Sequence, residues 1–160
     1  MMKLKRLSPY AIIPDRGHPT DAGLDVFTKY AHTTWIDPHK DYLIEIGWAM
    51  SLPDGWVAIV KEKSGLAWNK KITIGSCVID SNYRGEIMIH LFNNSDERIE
   101  FAPGSAIAQL VIVPCWCGNP RVVDDLDETD RGEGGFGSTT SKPEPMKNIE
   151  IKESKVPKRW

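Results

Sequence analysis

An all-β fold, a barrel or jelly roll of short strands, is what this chain of 160 residues predicts. Apolar residues recur with period two, and helical periodicity is nearly absent. Eleven prolines and thirteen glycines interrupt the chain at short intervals. Many short strands with frequent turns belong to sandwiches, barrels and jelly rolls. The length suits one domain with its own core, and no internal repeat is visible.

Taken in order, Tyr42, Ile44, Ile46 and Trp48 alternate with Leu43, Glu45 and Gly47, as in a half-buried strand. Trp56 to Val60 is a short apolar run after the turn Pro53-Asp54-Gly55. Ser64 to Trp68 reads as a plain loop or as a helical turn with Ser64 as its N-cap. Ile72 and Ile74, then Ile87, Ile89 and Leu91, continue the alternation. Between them, Cys77-Val78-Ile79-Asp80-Ser81-Asn82-Tyr83-Arg84-Gly85-Glu86 joins two apolar runs by a polar turn, which reads as a hairpin. A rigid sheet there would hold the Asp80 carboxylate and the Tyr83 ring, although Asp, Ser and Asn are also ordinary turn residues. Ala106 to Val113 is nearly all apolar, as a strand buried on both faces would be. Gln109 is its one polar side chain; a buried amide needs partners, either backbone or the contents of a site.

The character changes after Pro120. We read residues 1–123 as the β domain, 124–140 as an acidic linker followed by a Gly-rich lid, and 141–160 as a disordered tail. Asp124, Asp125, Asp127, Glu128 and Asp130 form the linker. The stretch Arg131 to Thr140 holds four glycines around one Phe and one Arg. Glycines let successive N–H groups point at an anion. A plain flexible linker needs neither Arg131 nor Phe136, which favours a flexible lid.

A net charge of -2 and a pI near 6.1 leave no broad nucleic-acid surface. An anionic ligand must be held by local cations and backbone donors. No apolar run approaches the roughly 18 residues of a membrane span, and Met1 to Arg6 lacks the apolar stretch of a secretory signal. Three cysteines make no disulfide framework, so a reduced, cytoplasmic protein is expected. The four histidines are scattered and Cys115-Trp116-Cys117 has no second pair at zinc spacing, so no protein-held metal is expected. There is no Gly-x-Ser-x-Gly elbow, no Walker loop and no cysteine with a convincing His partner.

Five stretches in order resemble the motifs of the homotrimeric dUTPase (deoxyuridine 5′-triphosphate nucleotidohydrolase) family. They are Asp21-Ala22-Gly23-Leu24-Asp25-Val26, Lys63-Ser64-Gly65-Leu66-Ala67, Val78 to Gly85, Gly104-Ser105-Ala106-Ile107-Ala108-Gln109-Leu110, and Arg131 to Thr139. The resemblance spans residues 21 to 140. It implies a β-barrel or jelly-roll subunit, three of which share three active sites. It implies hydrolysis of dUTP to dUMP and pyrophosphate, keeping uracil out of DNA and supplying dUMP for thymidylate synthesis. Asp80 would deprotonate the water that attacks the α-phosphorus, with Asp25 in support. Tyr83 would stack under the deoxyribose and exclude a 2′-hydroxyl. Backbone groups near Ile79 and Met88, at a pocket edged by Cys77, would read the uracil. Lys63, Ser64, Gly65 and Gln109 would bind phosphates. Phe136 would stack on uracil, while Arg131, Gly137, Ser138 and Thr139 close on the phosphates. Mg²⁺ would ride on substrate phosphates and water, with no protein ligands.

The chain departs from the family pattern at several positions. Lys63 stands where Arg is usual and lacks its bidentate fork; Glu62 replaces a common Pro, Cys77 a common Gly, Asn82 a common Asp, and Thr140 a frequent terminal Gly. The rival enzyme of this fold, dCTP deaminase, carries a glutamate on the strand after the hairpin, where this chain has His90. A second alternative is a nucleotide sensor without catalysis, against which Asp80, Tyr83, Gln109, Arg131 and Phe136 are all present.

Overall fold

The computed structural model describes residues 1–75 and 78–134. Within them the strands are β1 (Lys3–Arg6), β2 (Gly23–Phe27), β3 (Thr34–Ile36), β4 (Asp41–Glu45), β5 (Trp48–Ser51) and β6 (Trp56–Lys61). After the one helix, α1 (Ser64–Lys70), come β7 (Ile72–Ile74), β8 (Val78–Ile79), β9 (Met88–Asn93), β10 (Ile99–Phe101) and β11 (Ala106–Pro114). All pairings are antiparallel. A four-stranded sheet runs β2-β11-β6-β8 and a three-stranded one β4-β9-β7, flanked by the pairs β1-β5 and β10-β3. The all-β expectation holds. No helix among the described residues is long and apolar enough to cross a membrane.

Alternation builds the core: Ile44, Ile46, Ile87, Ile89, Leu91 and Leu110 are essentially inaccessible. Their burial is the main favourable term of folding. From Tyr42 to Trp48 the expected alternation holds only in part: Ile44, Ile46 and Trp48 are buried, but Tyr42 is exposed and Gly47 is buried, and the run makes two strands rather than one. Gly47 breaks the run at φ +77, and a Cβ there would lie 2.6 Å from that of Ala11. β4 pairs with β9 before the break and β5 with β1 after it, so the chain changes sheets at this corner.

β11 also differs from expectation. Ile107, Ala108 and Leu110 are buried, but Gln109 and Val111 are only half-buried, so one face of the strand is open. A bulge between Ala106 and Ala108 turns two successive residues inward. Ser64–Lys70 forms a helix, not a loop. Its N-cap is Lys63, not Ser64, and no side chain caps it.

Asn93 closes the far end of β9. It is buried, donates to the carbonyls of Ile36 (3.0 Å), Asp37 (3.1 Å) and Glu97 (2.7 Å), and accepts from Ser95 Oγ at 2.7 Å. Residues Met1–Asn119 form one compact unit, and a second begins at Pro120. In the described part of the second, Arg131 Nε donates to the Gly134 carbonyl at 2.8 Å, across a turn in which Gly132 has φ +48.

Candidate active site

The predicted hairpin is opened out. β8 pairs with β6 (Ala58 opposite Ile79), whereas β9 pairs with β4 and β7. The arms lie in different sheets because each has a better-aligned neighbour elsewhere. The Ile87 backbone is held by Trp48 O at 2.8 Å and Ile46 N at 3.2 Å, on both sides of the Gly47 corner. Between the arms is a cavity of about 220 Å³, lined by Val60, Val78, Ile79, Ile87 and Met88, with Leu43, Asp80, Tyr83 and Glu86. β8 ends its sheet, and β7 with Gly75 reaches β9 only from His90 onward. Among the described residues, therefore, no strand pairs with the edges of Val78–Ile79 and Met88 that border the cavity.

The turn at the mouth is stapled by its own backbone. Tyr83 N donates to Asp80 O (3.1 Å), and Arg84 Nη1 donates to the carbonyls of Ser81 (2.7 Å) and Tyr83 (2.8 Å). The Tyr83 hydroxyl donates to Glu86 O at 3.1 Å. This folds its ring over Gly85, where a Cβ would come within 2.3 Å of the hydroxyl. Asp80 is exposed, and among the described residues no donor occupies its carboxylate.

Glu86 had no assigned role, yet it fixes the second arm. It accepts from Gly47 N at 2.9 Å and from Lys29 Nζ at 2.8 Å, and Lys29 also reaches Glu45 at 2.7 Å. Burial alone would lower the Lys29 pKa, but the hydrogen bonds it donates to the Glu45 and Glu86 carboxylates, with their charge, outweigh it and raise it. The available sequence signal was Glu86 itself, a charged residue entering an apolar strand.

The remaining motifs meet in a second cavity of about 930 Å³. Strand register places Asp25, Gln109 and Lys61 abreast across β2, β11 and β6, so their side chains share a face. Asp21, Gly23, Lys63, Ser64 and Gly65 line the same cavity. Gly23 is required here: a Cβ would lie 1.9 Å from Gln109 Oε1. Gln109 Nε2 donates to Glu62 O (2.8 Å), so both readings of this amide are met, a backbone bond and a place in a cavity. Lys63 Nζ pairs with Asp25 at 2.5 Å, both side chains about three-quarters buried. Glu62 is held below the usual carboxylate range by hydrogen bonds from its own backbone and from Ile74 N.

The two cavities share no lining residue. The chain thus gathers Ile79, Asp80, Tyr83 and Met88 in one place, and Asp25, Lys63, Ser64, Gly65 and Gln109 in another. Arg131 lies in the second compact unit. Cys77, Phe136, Gly137, Ser138 and Thr139 lie outside the described residues. His90 bonds Asp41 at 2.7 Å.

The family model for dUTPase matches residues 9–140. The chain belongs to the dUTPase family. It is 43% identical over 137 residues to a deoxyuridine 5′-triphosphate nucleotidohydrolase of Arabidopsis thaliana, covering 86% of this chain and 81% of the relative. A Picosynechococcus enzyme of the same name is 41% identical, covering 86% and 97%. A dUTPase of Staphylococcus bacteriophage 80alpha with dUpNHpp superposes with a TM-score of 0.79 at 29% identity, covering 86% of this chain and 97% of that one. The first four dUTPase motifs are thus carried on the expected fold, and in the larger cavity Lys63 is paired with Asp25.

Proposed function

We propose that this dUTPase-family chain hydrolyses dUTP to dUMP and pyrophosphate by attack of an Asp80-activated water on the α-phosphorus. Asp80 takes the proton of the water as its oxygen bonds the α-phosphorus. The bond from that phosphorus to the bridging oxygen breaks, and pyrophosphate leaves. The observation that carries the reading is the cavity between the splayed arms, with a carboxylate and an aromatic ring at its mouth. Uracil has a donor–acceptor edge that the bordering backbone of Ile79 and Met88 would read as a strand would. Tyr83, lying back over Gly85, would pack under the deoxyribose and leave no room for a 2′-hydroxyl. Phosphoryl transfer asks mainly for positioning and charge stabilisation, which falls to Lys63, Ser64, Gly65 and Gln109, and to Arg131, Gly137, Ser138 and Thr139 of a lid whose Phe136 would stack on uracil.

Asp80 and Gln109 line separate cavities in one subunit, so the complete site would be assembled from several, as a homotrimer. Among the described residues no group of three His, Cys, Asp or Glu side chains converges to hold a metal ion. Mg²⁺ prefers phosphate oxygens and its own waters, and would enter with the triphosphate and neutralise its charge. A relative from phage phi11 is described with a structural Mg(II) ion. The cellular role would be to keep uracil out of DNA and supply dUMP for thymidylate synthesis, in the cytoplasm. A pyrophosphate-release assay with Mg²⁺ across dUTP, dTTP, dCTP and UTP tests the reading. Release from dUTP alone is expected; an intact dUTP, or equal cleavage of dTTP and UTP, overturns it.

A further inference from the structure

Cys115-Trp116-Cys117 follows β11 directly and has no part in the proposed hydrolysis. Residues two apart face the same way along a strand, and the two thiols keep that relation just past the strand end. Their sulfurs are 3.6 Å apart, and Cys117 Sγ lies 3.8 Å from the Cys115 carbonyl oxygen. Trp116 is turned onto Gly118, where a Cβ would come within 2.4 Å of its ring. Cys115 is anchored through its N–H to Gly55 O at 2.8 Å. Cys117 is exposed and Cys115 half-buried. Both line a cavity of about 360 Å³ whose other walls are Asp54–Val57 and the turn Asp80-Ser81-Asn82.

We propose that Cys115 and Cys117 form a vicinal dithiol that is oxidised to an intramolecular disulfide by low-molecular-weight disulfides. Cys117, the more accessible sulfur, attacks first as the thiolate. Its sulfur bonds one sulfur of the reagent, the reagent's S–S bond breaks, and one thiol is released carrying the proton Cys117 lost. Cys115 then loses its proton and attacks Cys117 Sγ, displacing the second reagent thiol. Two cysteine thiols are oxidised and one reagent disulfide is reduced to two thiols. Hydrogen bonding to Cys117, burial and the charges of Cys117 and Asp80 all push the Cys115 thiol up, which disfavours it as the first nucleophile and leaves that step to Cys117. A ring spanning only three residues is strained, and strained exposed disulfides are the readily reduced ones.

The experiment treats the full-length protein with excess oxidised glutathione, then alkylates free thiols and maps peptides by mass. Titratable thiols should fall from the three of the sequence to one per chain. The peptide containing residues 115–117 should lose two hydrogens in mass, reversibly with dithiothreitol. The variant C115S should stop with one glutathione held on Cys117. Three persisting thiols, a bond between separate chains on a non-reducing gel, or a wild-type adduct that never closes would each overturn the proposal. The wild-type readouts stand whether or not the variant folds.

Discussion

The cavity between the arms is walled by strand edges and mostly apolar side chains, whereas the larger one beside β11 is walled by polar and charged groups, several of them already paired. Lys63 faces Asp25 there, and the Gln109 amide is tied to Glu62 O. The small cavity is shaped by which strands the two arms pair with; the large one is shaped by side chains. Main-chain atoms suit recognition of a flat, neutral ring, while paired charges that can exchange partners suit a polyanion arriving with its own cations.

That contrast can be broken first at Asp80. Asp80→Ala should reduce kcat by ~10²-fold or more, as loss of a general base does, while a non-hydrolysable dUTP analogue still binds. Retained turnover would remove Asp80 from the role of base. Glu86→Ala leaves Gly47 N and Lys29 without their shared acceptor, and should cost about 1–3 kcal/mol of stability. Urea unfolding reads that loss; an unchanged midpoint would mean that the second arm does not depend on Glu86.

In the larger cavity, Gly23→Ala should push the Gln109 amide aside and raise KM by roughly tenfold, equivalent to about one hydrogen bond, with kcat little changed. A fall in kcat at constant KM would place Gln109 at the reacting centre instead. The smallest effect concerns Glu62. Its folded pKa is depressed, so its contribution to stability is fully present above the ordinary glutamate value of about 4.3 and is lost as pH falls through the folded value. Glu62→Gln should therefore flatten the acid limb of the stability curve, and an unaltered limb would count against that linkage.

Much of the barrel was legible because period-two alternation is local and survives wherever a strand has one buried face. What escaped was partner choice. The seven residues between Ile79 and Ile87 fit a closed hairpin as well as an open one. Only the neighbours, Ala58 on β6 and Glu45 on β4, decide between them. The corner at Gly47 escaped for the same reason, since alternation continues through it in the sequence. The helix α1 has no buried residue, hence no apolar stripe to reveal it. Gln109 was identifiable as the one polar side chain of an apolar run, whereas Asp80 and Tyr83, in a polar turn of ordinary turn residues, stood out only through the family resemblance. Their division between two cavities was not legible, because it depends on strand register. Lys29 and Glu86, 57 positions apart, form a contact that no local pattern encodes.

On the proposed function, the strand edges beside Ile79 and Met88, unpaired among the described residues, have a consequence for inhibitor escape. A point substitution replaces a side chain but leaves the peptide N–H and C=O in place. A compound that bonds only to those groups could be evaded just by shifting the strands themselves, at the expense of the fold. One leaning on Leu43 or Val78, both largely exposed, could be evaded by a single codon.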